Sequence, residues 1–286
     1  MKIIKYFFQF LLAVFCFIFF KILGAKLSSK LSGKIFENIG PFFRSKKTID
    51  ENIKRAIPNI SEENLNKIKT SMWNNYGRVF AEYIFIKDFR NGKLKENIEI
   101  EGKDILDEIK RKNSQVVFIS GHFSNFELMA MSLEKNEIKL ATIYRPLNNM
   151  FLNLVMETIR KKYICKNQIK KGIGGLKNLI KYKKKNYSTA LMIDQRVSEG
   201  VLSNLFNKQA LTTTIPAQLV KKYDIPIVPV FIERIGNIKY KVIIKKPVVF
   251  SKEHSIIEIT EKLNEILEKM IIKNPEQWIW SHNRWK

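Results

Sequence analysis

Val116-Val117-Phe118-Ile119-Ser120-Gly121-His122-Phe123-Ser124-Asn125-Phe126-Glu127 changes its periodicity midway. The first half is a short, continuous apolar run, the pattern of a buried strand. From Phe126 onward the apolar residues Phe126, Leu128, Met129 and Leu133 recur at helical spacing. A strand that turns into a helix through Gly121-His122 sets a titratable pair, His122 and Glu127, outside the carboxyl end of a strand, where α/β folds keep their chemistry. The chain has three histidines. His254 and His282 have no comparable context, so His122 is the candidate for a histidine base.

Glu127 admits two readings. Five residues along one helix rotate by about 500°, roughly 140° away from a common face. His122 and Glu127 can therefore meet only if His122 lies in the turn and Glu127 in the first helical turn. A carboxylate on one ring nitrogen would fix the tautomer and leave the other nitrogen free to take a proton from a hydroxyl. Ser124-x-x-Glu127 is equally a capping box, with Glu127 reaching back to the backbone of Ser124. The spacing does not choose between them, and a lone histidine at a strand end is more often structural than catalytic.

The neighbouring strand ends add to the case. Ile138 to Tyr144 reads as a strand and runs into Tyr144-Arg145-Pro146-Leu147-Asn148-Asn149, where Arg145 suits a bidentate phosphate or carboxylate contact. Ser188 to Ile193 reads as another strand and ends in Asp194-Gln195-Arg196. Each cluster alone is explained by loop solvation or a helix cap. Three at successive strand ends point to a shared site. Lys170-Lys171-Gly172-Ile173-Gly174-Gly175 has the look of a phosphate loop but matches neither the P-loop nor the dinucleotide fingerprint. The tail Trp278-Ile279-Trp280-Ser281-His282-Asn283-Arg284-Trp285 suits a membrane interface or closing packing. Base stacking on a nucleic acid has little support.

From Ile98 onward strands and helices alternate: helices over 103–110, 150–163, 176–182, 214–223 and 256–272, with further strands over 227–233 and 238–244. That alternation predicts an α/β sheet covered by helices on both faces. The first hundred residues read as mainly helical. A short helix starts at Asp50 and ends near Pro58, and a longer one starts at Ser61-Glu62-Glu63. Gly33 to Lys47 reads as a polar stretch without strong periodicity.

Tyr6 to Phe20 is apolar apart from Gln9, and the segment extends to Leu23 if Lys21 snorkels. A spanning helix needs ~20 residues. A cleaved signal peptide is the rival reading, with Leu23-Gly24-Ala25 as a loose cleavage site. Bulky Phe residues and the following Lys26, Lys30 and Lys34 favour an uncleaved anchor. With Lys2 and Lys5 alone before the run, the charge bias favours a cytoplasmic body, its basic flank against anionic headgroups. The expected organisation is a membrane anchor at 1–24 and a single α/β domain at 25–286, helical to about residue 97. Across the 286 residues, 51 Lys and Arg against 27 Asp and Glu leave a net charge of +24. Such an excess calls for an acidic partner: nucleic acid, an anionic membrane, a phosphorylated substrate or an acidic protein. Cys16 and Cys165 give neither a disulfide framework nor metal-ligand spacing.

Taken together, these blocks resemble the late (lauroyl or myristoyl) acyltransferases of lipid A biosynthesis, within the lysophospholipid/glycerolipid acyltransferase superfamily. GHFSNFE is similar to the His-x-x-x-x-Asp/Glu block of that superfamily. ENIKRAIPNIS, MWNNYGRVFAEY, YRPLNN, LMIDQ, LFNKQALTTT, IPIVPVF and PEQWIWSHNRWK resemble the narrower family in order and spacing, from Asn52 to the end of the chain. One departure stands at Leu205-Phe206-Asn207-Lys208-Gln209-Ala210, where the family usually carries Phe-Phe-Gly-x-x-Ala. Asn tolerates left-handed geometry better than most residues, which would preserve the turn.

The resemblance implies a central mixed β-sheet flanked by helices behind one N-terminal transmembrane helix, on the cytoplasmic side of a bacterial inner membrane. It implies transfer of a fatty acyl group from acyl carrier protein to a hydroxyl of a lipid A precursor. His122 would take the hydroxyl proton, and Glu127 would orient His122 and stabilise its charged form. Arg145 would hold phosphate, Asp194 would shape the site, and Tyr144, Asn148 and Gln195 would complete the substrate-binding set. No metal, cofactor or covalent enzyme intermediate is implied, and no nucleic-acid partner. The rivals are an acyltransferase of the same superfamily acting on a phospholipid or another glycolipid, and, in a different class, a basic membrane-anchored protein that binds nucleic acid or anionic lipid.

Overall fold

In β2 (Val117–Ser120) all four residues are buried, Val117 and Ile119 in one core cluster and Phe118 in the other. A strand covered on both faces needs neighbours on both edges and layers above and below. The computed structural model describes residues 2–286 and supplies both. The other strands are β1 (Ile98–Glu101), β3 (Leu140–Tyr144), β4 (Asn167–Lys170), β5 (Ser188–Met192), β6 (Val201–Leu205), β7 (Lys208–Thr212), β8 (Ile227–Arg234) and β9 (Tyr240–Ile244). Seven of them form one mixed sheet in the order β1-β9-β8-β2-β5-β3-β4, with β6 and β7 as a separate antiparallel pair. Within the large sheet the β8–β9 pairing is antiparallel and the other pairings are parallel. The sheet is therefore the α/β sheet expected from the alternation, with the mixed pairing that the resemblance implies.

The helices are α1 (Lys2–Leu23), α2 (Ala25–Ile39), α3 (Lys46–Ala56), α4 (Glu62–Glu82), α5 (Ile86–Asn91), α6 (Lys103–Arg111), α7 (Glu127–Lys135), α8 (Met150–Ile159), α9 (Ile173–Lys184), α10 (Ile215–Tyr223) and α11 (Ile256–Lys273). One core joins Ile119 and Leu191 of the sheet to Met72 of α4, Ala217 of α10, Leu263 of α11 and the tail tryptophans Trp278 and Trp280. The other joins Phe118 and Ala190 to Phe89 of α5, Leu106 of α6 and Leu133 of α7. Trp278 and Trp280 are 1% and 0% exposed, so the aromatic tail closes the core and does not line a membrane interface.

Several elements differ from expectation. The segment read as polar and aperiodic, 33–47, takes in the end of α2, a 3-10 turn at Gly40–Phe43 and the start of α3. The sequence of α2 mixes lysines, serines and aliphatics because each of its sides meets a different environment. Ser28, Ser29, Ser32 and Gly33 are buried against the body, where small residues let helix axes approach. The Ser32 hydroxyl donates to the Gly77 carbonyl at 2.6 Å, and a Cβ on Gly77 would lie 2.2 Å from the Ser32 carbonyl oxygen. α3 starts earlier than expected, capped by Ser45. α8 ends at Ile159 and passes into one turn of π-helix, Arg160–Ile164. β4 and the β6–β7 hairpin are additional. The hairpin turns on Phe206 and Asn207 at φ 53° and 56°, the left-handed pair that a two-residue hairpin of this hand requires. Asn207 thus adopts the left-handed geometry expected of it.

α1 has 22 residues and contains an 18-residue stretch of mean hydropathy 2.2, long and apolar enough to cross a membrane. Phe8, Phe15 and Ile22 on it are exposed, whereas Phe17 and Phe20 pack on Phe80. Phe7 and Phe10 meet Phe151 at the start of α8. Gly24, at φ 77°, breaks the helix before α2.

Candidate active site

Parallel pairing of β2 with β5 sets the first contact. Ser120 stands opposite Met192. Two residues further along each strand, on the same side by the two-residue period, come His122 and Asp194. The pair does meet: His122 Nδ1 lies 2.8 Å from Asp194 Oδ1. The His122 backbone N–H donates to Asp194 Oδ2 at 2.7 Å, and the Trp278 indole N–H donates to the same oxygen at 2.9 Å. Asp194 is 1% exposed. Burial alone would raise its pKa, but the charge and hydrogen bonds of His122 and the Trp278 donor outweigh it, holding the carboxyl well below the usual carboxylate range. Nδ1 is turned to Asp194, which leaves the other ring nitrogen free of that carboxylate in a residue that lines the cavity. Gly121 is required here: a Cβ on it would lie 2.8 Å from the Phe123 ring and 3.2 Å from the Asp194 carboxylate.

The geometry differs from expectation at two residues. The carboxylate in contact with the His122 ring is Asp194 and not Glu127, and Asp194 is buried instead of lining the cavity. Glu127 begins α7 and accepts from Arg160 instead, with Nε at 2.9 Å from Oε1 and 3.2 Å from Oε2, and a further bond from Nη2. The capping box is not formed either. Ser124 sits at φ 45°, in the left-handed region, whereas an N-cap needs extended geometry. Its hydroxyl is buried without a hydrogen-bond partner among the described residues. The turn is held by other contacts. The Ser124 N–H donates to the Gln277 carbonyl at 2.8 Å, and the Asn125 amide donates to Glu82 at 3.0 Å. Glu82, 0% exposed, also binds Ser29, Arg234 and Tyr240. Phe126 meets the His122 ring edge-on, with centroids 4.7 Å apart.

A cavity of about 460 Å³ opens in front of His122. Arg145 and Asn148, both exposed, line it together with Tyr144, Gln195, Glu127 and Arg160. Met129, Ala130, Ile143, Met156 and Ile164 supply its apolar side. The Tyr144 hydroxyl donates to Glu157 at 2.7 Å, and the Arg160 guanidinium lies over the Tyr144 ring. The expected residues of β2, β3 and β5 are thus gathered at one edge of the sheet because those three strands are parallel neighbours.

Sequence reasoning missed Arg160, Trp278 and His282 as parts of this site. Arg160 follows the apolar stretch of α8 among other basic residues, and nothing local separates it from Lys161 and Lys162. His282 is brought in by the tail. Its Nε2 lies 2.9 Å from Gln195 Nε2, and its ring centroid is 6.2 Å from that of His122. Burial pushes its pKa down to about 4, with His122 and Arg44 adding to the effect and Asp194 opposing it. Asn52 clamps this segment by donating to the carbonyls of Trp280 at 2.8 Å and His282 at 2.7 Å.

Comparison with known proteins bears on what such a site does. The chain is 25% identical over 264 residues to the lipid A biosynthesis palmitoleoyltransferase of Escherichia coli (strain K12), covering 86% of this chain and 80% of that one. It is 24% identical over 247 residues to the lipid A biosynthesis lauroyltransferase of the same organism, covering 85% and 79%. The crystal structure of the 1-acyl-sn-glycerophosphate acyltransferase PlsC from Thermotoga maritima aligns with 91% of this chain and 99% of that one, with a TM-score of 0.42 and 15% identity. The family model for bacterial lipid A biosynthesis acyltransferases matches residues 1–286, and the chain belongs to that family of acyltransferases.

Proposed function

We propose that this enzyme transfers a fatty acyl group from acyl carrier protein to a hydroxyl of a lipid A precursor, with His122 as general base. The observation that carries the reading is the His122–Asp194 pair at the mouth of the cavity. Nδ1–H donated to Asp194 leaves the second ring nitrogen with a lone pair toward the substrate. As the hydroxyl oxygen attacks the thioester carbon, its proton passes to His122. The tetrahedral intermediate then collapses, the C–S bond breaks, and the proton returns to the departing thiolate. Asp194 stabilises the imidazolium formed in between. No covalent enzyme intermediate is needed.

Glu127 enters this scheme as the partner that fixes Arg160. The guanidinium then presents positive charge on the cavity wall, where charge develops in the transition state or where a phosphate sits. Arg145 and Asn148, exposed at the rim, are suited to a phosphate of the glycolipid or of phosphopantetheine. α1 anchors the enzyme in the bacterial inner membrane, and the charge bias around it favours a cytoplasmic catalytic body. The single α/β domain follows directly behind that anchor. The net charge of +24 matches anionic partners of every kind in this reaction: carrier protein, glycolipid phosphates and membrane.

The test incubates the full chain in detergent micelles with acyl carrier protein thioester and a tetra-acylated lipid A precursor, with ester product read by mass spectrometry. Loss of general-base catalysis in His122→Ala should cost ~10²–10⁴ in kcat, read on protein whose cooperative melting shows that it is folded. Ester formation on a phospholipid but not on the precursor would overturn the substrate reading. A His122→Ala variant with full turnover would overturn the base.

A further inference from the structure

We propose that Gln195 is a catalytic residue that donates an amide N–H to the negative charge developing on the thioester carbonyl oxygen, and that His282 is the positioning residue that decides which end of the Gln195 carboxamide faces the cavity. The proposal rests on the acyl-transfer reading above.

Gln195 lines the cavity beside His122. Its Nε2 lies 3.5 Å from His122 Nδ1 and 3.4 Å from His122 Nε2. Near-equal distances place the amide against the imidazole, at the long end of hydrogen-bond range from both nitrogens. One N–H of that amide is committed to His282 Nε2 at 2.9 Å, leaving the second for the cavity. The attacking oxygen must lie within about 2.6–3.2 Å of the His122 base nitrogen. A donor beside the same nitrogen is then in range of an oxyanion on the carbon under attack, for which about 2.7–3.1 Å is needed.

A carboxamide has two nearly isosteric ends, and the wrong end would aim a carbonyl oxygen at the oxyanion. His282 breaks that symmetry. Its Nε2 can accept from an amide N–H only if the imidazole is neutral with its proton on Nδ1. Its surroundings favour neutrality: it is buried, and the titratable and charged groups facing it are His122, Arg44 and Asp194. Its position is fixed from the backbone, since Asn52 donates to its carbonyl and Tyr76 meets the adjacent Ser281 hydroxyl at 3.1 Å. The tail that closes the core therefore also carries a part of the site.

The test has two arms. In the full chain in micelles, ¹⁵N spectra of the imidazole nitrogens should show His282 neutral at pH 5.5 with Nε2 bare. A proton on Nε2, or titration of His282 in the ordinary histidine range, overturns the proposal whether or not the enzyme turns over. In the kinetic arm, Gln195→Ala should lower kcat by ~10²–10³. His282→Ala should lower kcat with little change in KM, and His282→Gln, which retains an acceptor oxygen, should restore most of it. Because His282 acts through Gln195, the double variant Gln195→Ala/His282→Ala should be no slower than Gln195→Ala alone. Additive losses, or a His282→Gln variant as slow as His282→Ala, overturn the positioning role. A wild-type enzyme that makes no ester sinks the acyl-transfer reading and the oxyanion role with it, while the spectra still decide the His282 contact.

Discussion

Glu127 and Arg160 are a buried ion pair, their side chains 7% and 14% exposed, and such a pair is costly to break from one side only. A cap could be maintained by Gln, which would leave Glu127→Gln harmless. The observed pairing predicts otherwise: Glu127→Gln strands a guanidinium and should lower the unfolding free energy by ~3–5 kcal/mol. Glu127→Met combined with Arg160→Met should recover most of that stability while turnover stays low. Denaturant titration of the three proteins measures it. The acid response follows from His282 and Asp194. Folded His282 takes a proton only near pH 4, against 6.5 for an unperturbed histidine, so the unfolded chain binds more protons between those values and stability falls as pH drops from 6.5 toward 4. Asp194, depressed by His122 and Trp278, contributes stability that is present above its ordinary 3.8 and lost as pH falls below it. Melting temperature should therefore decline from pH 6.5 downward, and His282→Gln should flatten the upper part of that decline.

At the scale of elements, α2 is the segment whose sequence was least legible and whose structure explains why. Leu27, Leu31, Ile35 and Ile39 are exposed at four-residue spacing, and Lys26, Lys30 and Lys34 are exposed beside them. That pattern would suit a membrane surface, with aliphatics entering the headgroup boundary and lysines meeting anionic lipid. The serine side faces α4. Three mixed stripes share one helix, so no single apolar face repeats at helical spacing. Leu31→Glu with Ile35→Glu should leave the fold intact and lower turnover on vesicle-borne acceptor more than on detergent-solubilised acceptor. Equal losses in both would count against an interfacial α2. The β6–β7 hairpin was hidden for a related reason. Its turn uses Phe206 and Asn207 where the strongest hairpin signals carry Gly, so no Asn-Gly or Asp-Gly pair marks it.

At the scale of the molecule, a net charge of +24 would make encounter with the proposed acidic carrier protein sensitive to ionic strength. Raising salt from about 0.05 to 0.5 M shortens the screening length well below 10 Å. kcat/KM for an acyl carrier protein thioester should fall several-fold over that range, with kcat nearly constant. A flat profile would mean that the basic surface does not steer the donor.

By itself the sequence determined the strand-to-helix turn at His122, the alternation that builds an α/β sheet, the apolar α1 and the strand ends at Tyr144 and Asp194. These are local facts, carried by periodicity and by the order of residue types along the chain. The tertiary structure decided which carboxylate serves which partner. Glu127 is five positions from His122 in the chain, yet β2–β5 register brings Asp194 to the histidine from 72 residues away, leaving Glu127 for Arg160. His282 arrives from still further, 160 residues from His122, clamped by Asn52. Strand register and the packing of a tail are set by the burial of many side chains at once, so no window of sequence around His122 contains them.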